Sequence, residues 1–182
     1  PCFTRPQSGI DAIPGWGRDK IWHAYDETAM TIVPTHMQAS LIGTDRVLVE
    51  SLLSCRSSAF PQPICVTLAQ TLAADGSLTV DATHHMDESL GDLPRVGMEL
   101  VLPEGFEAFR YFGRGPGENY RDRLLSATLG VFESTIAAEH FPFIPPSENG
   151  GHEQTRWISF QNGNGATLEV RADIPFHFDV HH

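Results

Sequence analysis

Tyr111-Phe112-Gly113-Arg114-Gly115-Pro116-Gly117-Glu118-Asn119-Tyr120-Arg121-Asp122-Arg123 decides how this chain is read. A strand-like approach, Phe106 to Phe112, runs into Gly-Arg-Gly-Pro-Gly, where glycines admit positive φ and proline fixes one dihedral, so the chain must turn sharply. The charges then crowd onto one short segment behind the turn. Composition alone does not supply this order of turn formers, charges and aromatics.

On either side of that turn, apolar residues recur with period two. Val47, Val49, Ser51 and Leu53 share one face, as do Ile64, Val66, Leu68, Gln70 and Leu72, and then Leu78, Val80 and Ala82. Met98, Leu100 and Leu102 form another such set, followed by Phe106, Ala108, Arg110 and Phe112, by Ile158 with Phe160, and by Leu168 with Val170 and Ala172. Turn formers separate them at Asp75-Gly76, Pro103-Glu104-Gly105 and Asn162-Gly163-Asn164-Gly165. The pattern predicts an all-β, antiparallel protein. Only Arg18 to Glu27 and Leu124 to Glu139 offer short helical turns, and no repeat or linker breaks the chain, so residues 1–182 read as one domain.

The chain has 182 residues, enough for a substantial core without a covalent staple. No apolar run approaches the roughly 20 residues of a membrane-spanning helix. With 12 Lys and Arg against 23 Asp and Glu, the net charge of −11 opposes nucleic-acid binding, and the basic residues are scattered rather than striped. A neutral ligand such as a sugar is compatible with that charge. Cys2, Cys55 and Cys65 are an odd set without Cys-x-x-Cys spacing, which predicts buried or free thiols. No His-Glu-x-x-His, phosphate loop or dinucleotide fingerprint occurs, so no metal or other cofactor is expected. The chain opens on Pro1 with no signal-like apolar segment, as a processed product or excised segment would. A soluble, cytoplasmic setting is the expectation.

The quoted stretch closely resembles the G-R-G-P-x-E-N-Y-x-D-R signature of the small-chain, or fifth, domain of large β-galactosidases of glycoside hydrolase family 2. Leu93-Pro94-Arg95-Val96-Gly97 is similar to the family's L-P-R-x-G, and Asp75-Gly76-Ser77-Leu78 to the hairpin turn before it. Phe141-Pro142-Phe143-Ile144-Pro145-Pro146-Ser147-Glu148-Asn149-Gly150 resembles Y-P-Y-x-x-P-x-E-N-G, and Thr155-Arg156-Trp157 resembles x-R-W. Phe3-Thr4-Arg5-Pro6 with Gly9-Ile10-Asp11 looks like a degraded W-R-A-P-T-D-N-D. The similarity spans nearly the whole chain and is most specific from Leu93 to Trp157.

The resemblance implies an antiparallel β-supersandwich of the galactose mutarotase kind, in shortened or partial form. The family domain has several strands before the Arg-Pro element and a long segment after the position of Phe176-His177-Phe178. This chain lacks both, as a truncated piece or a shortened stand-alone relative would. Retaining glycosidases need two carboxyl groups roughly 5–5.5 Å apart. In the family both come from a separate barrel, whose motifs are missing here, so the isolated chain is not expected to hydrolyse β-galactosides.

Within the signature, Glu118 and Asp122 are flanked by Arg114, Arg121 and Arg123. Carboxylates among arginines are pushed toward the ionised form, which suits a rigid loop better than a proton donor. Arg114, Glu118, Asn119, Tyr120, Asp122 and Arg123 are therefore read as a structural loop, with a sugar site as the alternative. Glu148, His152, Arg156 and Trp157 combine an aromatic face with planar polar groups, the chemistry of a sugar contact, while a capped turn with a core tryptophan is the other reading. Asp11 and Trp16 join this set because the family's stretch after D-N-D forms a loop at the mouth of the active site. The glycines flanking Trp16 would give that loop hinge-like freedom. His84 and His85 are adjacent and point to opposite faces of a strand, so they do not share a metal. His177, His181 and His182 read as a frayed tail or tag remnant.

The leading expectation is a β-galactosidase domain that shapes the active-site mouth and binds carbohydrate, beside a catalytic barrel domain or subunit. Its rival is a stand-alone enzyme carrying out proton transfer, an isomerisation or cyclisation, on a small molecule in the sandwich cleft. A third reading is a non-catalytic assembly module, for which homo-oligomer formation is open.

Overall fold

The computed structural model describes residues 1–6, 8, 11, 30–57, 62–90, 93–144 and 147–182. They build eight strands and few helical turns. The all-β, antiparallel expectation is borne out, in two four-stranded sheets. The chain divides into two compact units, one of Pro1–Arg5 with Ile10–Glu99 and one of Pro6–Gly9 with Leu100–His182.

The first unit is a meander of β1 (Met30–Ile42), β2 (Arg46–Ser57), β3 (Ile64–Ala73) and β4 (Leu78–His85), in that spatial order. The β3–β4 hairpin turns at Asp75-Gly76, where Gly76 has φ +87° and the Asp75 carboxylate accepts a hydrogen bond from Ser77 N at 2.9 Å. A side chain at Gly76 would strain that left-handed position. Cys55 stands opposite Ile64, and Leu53 opposite Val66, which puts the apolar residues of both strands on one face. Phe3, Cys55, Ile64, Val66 and Leu90 form the core, with Met30, Leu53, Ala82 and Leu93 packed against it. The three cysteines are not disulfide-bonded, and Cys2 and Cys55 are buried. His84 is half-buried with its ring edge-on to Phe3, while His85 is exposed and shares a hydrogen bond with Thr67, as opposite faces require.

The second unit has the order β6 (Thr128–Thr135), β5 (Ala108–Gly115), β7 (His152–Gln161), β8 (Thr167–Phe178). Tyr111 pairs with Ile158 and Phe109 with Phe160, and these four residues are the buried core. Phe132, Phe176 and Phe178 pack around them.

Two sequence expectations differ from the structure, and one strand, β1, was not expected. Met98, Leu100 and Leu102 alternate but belong to no strand, and Met98 and Leu100 are exposed: alternation without a ladder partner among the described residues makes no strand. Leu124 to Glu139 is mostly not helical. A 3-10 turn, Arg121–Ser126, leads into β6, and only Ile136–Glu139 is α-helix, capped by the Thr135 hydroxyl accepting from Ala138 N. β1 is an added strand, hidden in the sequence by Pro34. Proline is tolerated there because β1 is an edge strand with a register shift between Pro34 and His36. Arg18 to Glu27 lies outside the described residues.

Candidate functional site

The signature stretch leaves β5 at Gly115 and is fastened to the start of β7. Asn119, fully buried, does most of this. Its amide nitrogen donates to Arg114 O at 2.9 Å and Gly117 O at 3.1 Å, and its Oδ1 accepts from Glu153 N at 3.0 Å. Asn119 N donates to Gly151 O at 2.7 Å. Partly buried backbone groups of the turn and of the two strands beside it are thus satisfied by one side chain.

Glu118 works on both sides of the turn. One carboxylate oxygen pairs with the Arg123 guanidinium, and the other accepts from Gly150 N at 2.9 Å. Gly150 has φ +72° and packs on Glu139, so this corner requires glycine. Tyr120 lies beneath, its hydroxyl accepting from Gly151 N at 3.2 Å and its ring facing Arg123 at 5.0 Å. Burial pushes its phenol up to about 12, with the Gly151 N–H opposing and the charges of Glu148, Glu118 and Asp179 adding. Arg114 makes no carboxylate pair among the described residues. It donates instead to Gln154 Oε1 and to the carbonyls of Ala127 and Leu124, closing the 3-10 turn. Asp122 is exposed and takes part in no ion pair among the described residues. Glu118→Ala should therefore cost about 1–2 kcal/mol in a denaturant titration, and Asp122→Ala should stay within about 0.5 kcal/mol of the parent.

Behind the loop sits a buried relay that the sequence spacing conceals. His152 is fully buried, with Nδ1 2.9 Å from the Tyr111 hydroxyl and 3.2 Å from Arg114 O, and Nε2 2.9 Å from Glu139 Oε2. Burial raises the Glu139 carboxyl, but hydrogen bonds from His152 and Ser134 and the attraction of His152 outweigh it and hold the group below its ordinary value. Burial raises the Tyr111 phenol, with Glu139 adding to it. The Tyr111 hydroxyl also donates to Pro116 O at 3.2 Å, tying the relay to the signature turn.

The described sugar-contact candidates each have contacts of their own. Asp11 belongs to the first unit, buried and paired with Arg5 at 2.9 Å. Trp16 lies outside the described residues. Glu148 is half-buried near His177 and Asp179. His152 is internal. Arg156 is exposed, its guanidinium over the Phe112 ring at 5.1 Å, and Trp157 is half-buried between Phe112 and Arg171 in the ladder. Arg156 helps line an open depression of about 520 Å³ with Arg121, Glu153 and Gln154. A second, of about 540 Å³, carries Phe141 and Phe143 beside Glu118 and Glu139. Glu139 and Gln154 escaped sequence reasoning: neither lies in the signature, and Gln154 reaches Arg114 from a positive-φ position (54°) where β7 shifts register.

The arrangement stores polar groups in pairs rather than presenting them. The profile of the beta galactosidase small chain family matches residues 1–182. The β-galactosidase of Psychromonas ingrahamii is 44% identical over 80 residues, which are 44% of this chain and 8% of that protein. That of Priestia megaterium is 27% identical over 131 residues, 72% of this chain and 12% of that protein. β-Galactosidase BgaC of Bifidobacterium adolescentis is 34% identical over 116 residues, 62% of this chain and 11% of that protein. The chain thus matches only about an eighth or less of the length of these relatives. With a profile match over its full length and the signature loop in place, the chain belongs to the β-galactosidase small-chain family.

Proposed function

We propose that this chain serves as a non-catalytic domain of a β-galactosidase, giving the catalytic part a firm surface to pack against and framing the galactoside entrance. The observation that carries this reading is the closed state of the signature network: Glu118 is committed to Arg123 and Gly150 N, and Glu139 to His152. Carboxylate oxygens so engaged are poorly placed to act as nucleophiles.

The apolar surface supports the docking role. Along β1 both faces are exposed, Met37 at 62% and Leu41 at 78%. An edge strand with such side chains is normally covered in the working protein. Where galactoside touches this chain, we assign contact to Arg156, Trp157 and Glu148, while His152 acts from inside by holding the loop.

The test is Met37→Lys with Leu41→Glu in the intact protein that carries this chain. Hydrolysis of a chromogenic β-galactoside should fall at least about tenfold, with the circular dichroism unchanged and protease sensitivity increased. Undiminished hydrolysis and unchanged protease sensitivity would refute docking through β1. Loss of a larger assembly in size-exclusion chromatography, with hydrolysis intact, would instead make β1 a contact between copies.

A further inference from the structure

His177, expected as part of a frayed tail, is the penultimate residue of β8 and is held in place. Its ring lies 5.9 Å from that of Tyr120, tilted by 34°, and its Cε1 is 2.6 Å from where a Cβ would stand on Gly151. Only glycine at position 151 leaves room for both rings. Three carboxylates converge on this imidazole from separate parts of the chain: Glu148 before β7, Glu153 on β7 and Asp179 just after β8.

We propose that Glu148, His177 and Asp179 form a binding site for a single divalent transition cation, with Zn²⁺ favoured. One ligand atom from each lies within 4.8 Å of the other two. His177 Nε2 and Asp179 Oδ2 are 3.9 Å apart, beyond a hydrogen bond but close to the span of two ligands sharing one cation at bonds of about 2.0–2.2 Å. Nδ1 lies 3.3 Å from Glu153 Oε1, so a carboxylate stands behind the ring, where it orients a ligating imidazole. All three proposed ligands are half-buried, so they are already partly desolvated and partly restrained. One nitrogen with two carboxylate oxygens is a donor set for zinc or manganese, whereas calcium and magnesium favour oxygen alone. The spacing of these residues matches no metal motif, because the site is assembled by β8 returning beside the loop that carries Glu148. Bound metal would tie the end of β8 to that loop, next to Tyr120.

The test is calorimetric titration of the chelator-stripped intact protein with ZnCl₂, and separately with MnCl₂ and CaCl₂. The parent should take up Zn²⁺ at this site, and His177→Ala, Asp179→Asn and Glu148→Gln should each weaken it by at least about tenfold. A His181→Ala/His182→Ala variant should keep the parent affinity, which separates the site from tail histidines. Co²⁺ should give visible absorption bands that His177→Ala removes. If His177→Ala does not fold, the near-isosteric Asp179→Asn and Glu148→Gln decide the matter. No uptake by the parent, parent affinity in both of those variants, or preference for Ca²⁺ would overturn the proposal.

Discussion

Replacing His152 with alanine is expected to destabilise the protein by about 3–5 kcal/mol, because a fully buried ring and its side-chain hydrogen bonds are lost together. Glu139 would be left with a carboxylate facing a void, and the Tyr111 hydroxyl would lose its 2.9 Å contact. For a chain of this size that is a drop in melting temperature of roughly 6–20 °C, measurable by calorimetry. The pH dependence is also specific. Glu139 has a folded pKa below its ordinary value of 4.5, so its contribution is complete above that pH and is lost as pH falls through the folded value. The parent should therefore lose stability on acidification below about pH 4.5, and His152→Ala should lose less of it there. A variant melting within about 1 °C of the parent at neutral pH would show that the relay is not a stabilising element.

Gly115→Ala should be nearly as damaging. A Cβ there would sit 2.3 Å from the Tyr111 hydroxyl and 2.8 Å from Phe132 Cδ2, both in the packed centre of the second unit. Overpacking costs about 1–3 kcal/mol, and displacing Tyr111 from His152 and Pro116 adds a buried hydrogen-bond loss of similar size. Gly117→Ala is the control, since nothing stands within 4 Å of its added methyl. Guanidinium denaturation of the two variants should differ by at least about 2 kcal/mol.

What the sequence made legible was what depends on local chemistry. Period-two alternation located β2, β3, β4, β5, β7 and β8, each of which has a partner in register, but in β5 the buried face is that of Phe109 and Tyr111 and not that of Ala108, Arg110 and Phe112. Alternation at Met98, Leu100 and Leu102 misled, since pairing is a non-local property that side-chain order does not encode. β1 was concealed by Pro34, and β6 by lying between a 3-10 turn and an α-turn. In the loop, like and unlike charges advertised ion pairing, and Glu118 with Arg123 is such a pair. The choice of Glu118 over Asp122 was not legible, for it depends on which carboxylate faces Gly150 N. His152 was visible as a polar residue on a glycine-rich turn, but its commitment to Glu139, 13 positions away, arises from the fold alone.

The central claim is that this chain shapes and supports a β-galactosidase without taking part in its chemistry. It is tested most directly by steady-state hydrolysis of a chromogenic β-galactoside by the intact protein, with Glu118→Gln, Asp122→Asn and Glu148→Gln made one at a time. The account predicts kcat within about threefold of the parent for each variant that keeps its native circular dichroism, with an unchanged pH profile. A loss of about 10³-fold or more in any one of them, with the fold intact, would contradict it by placing an acid, base or nucleophile in this chain.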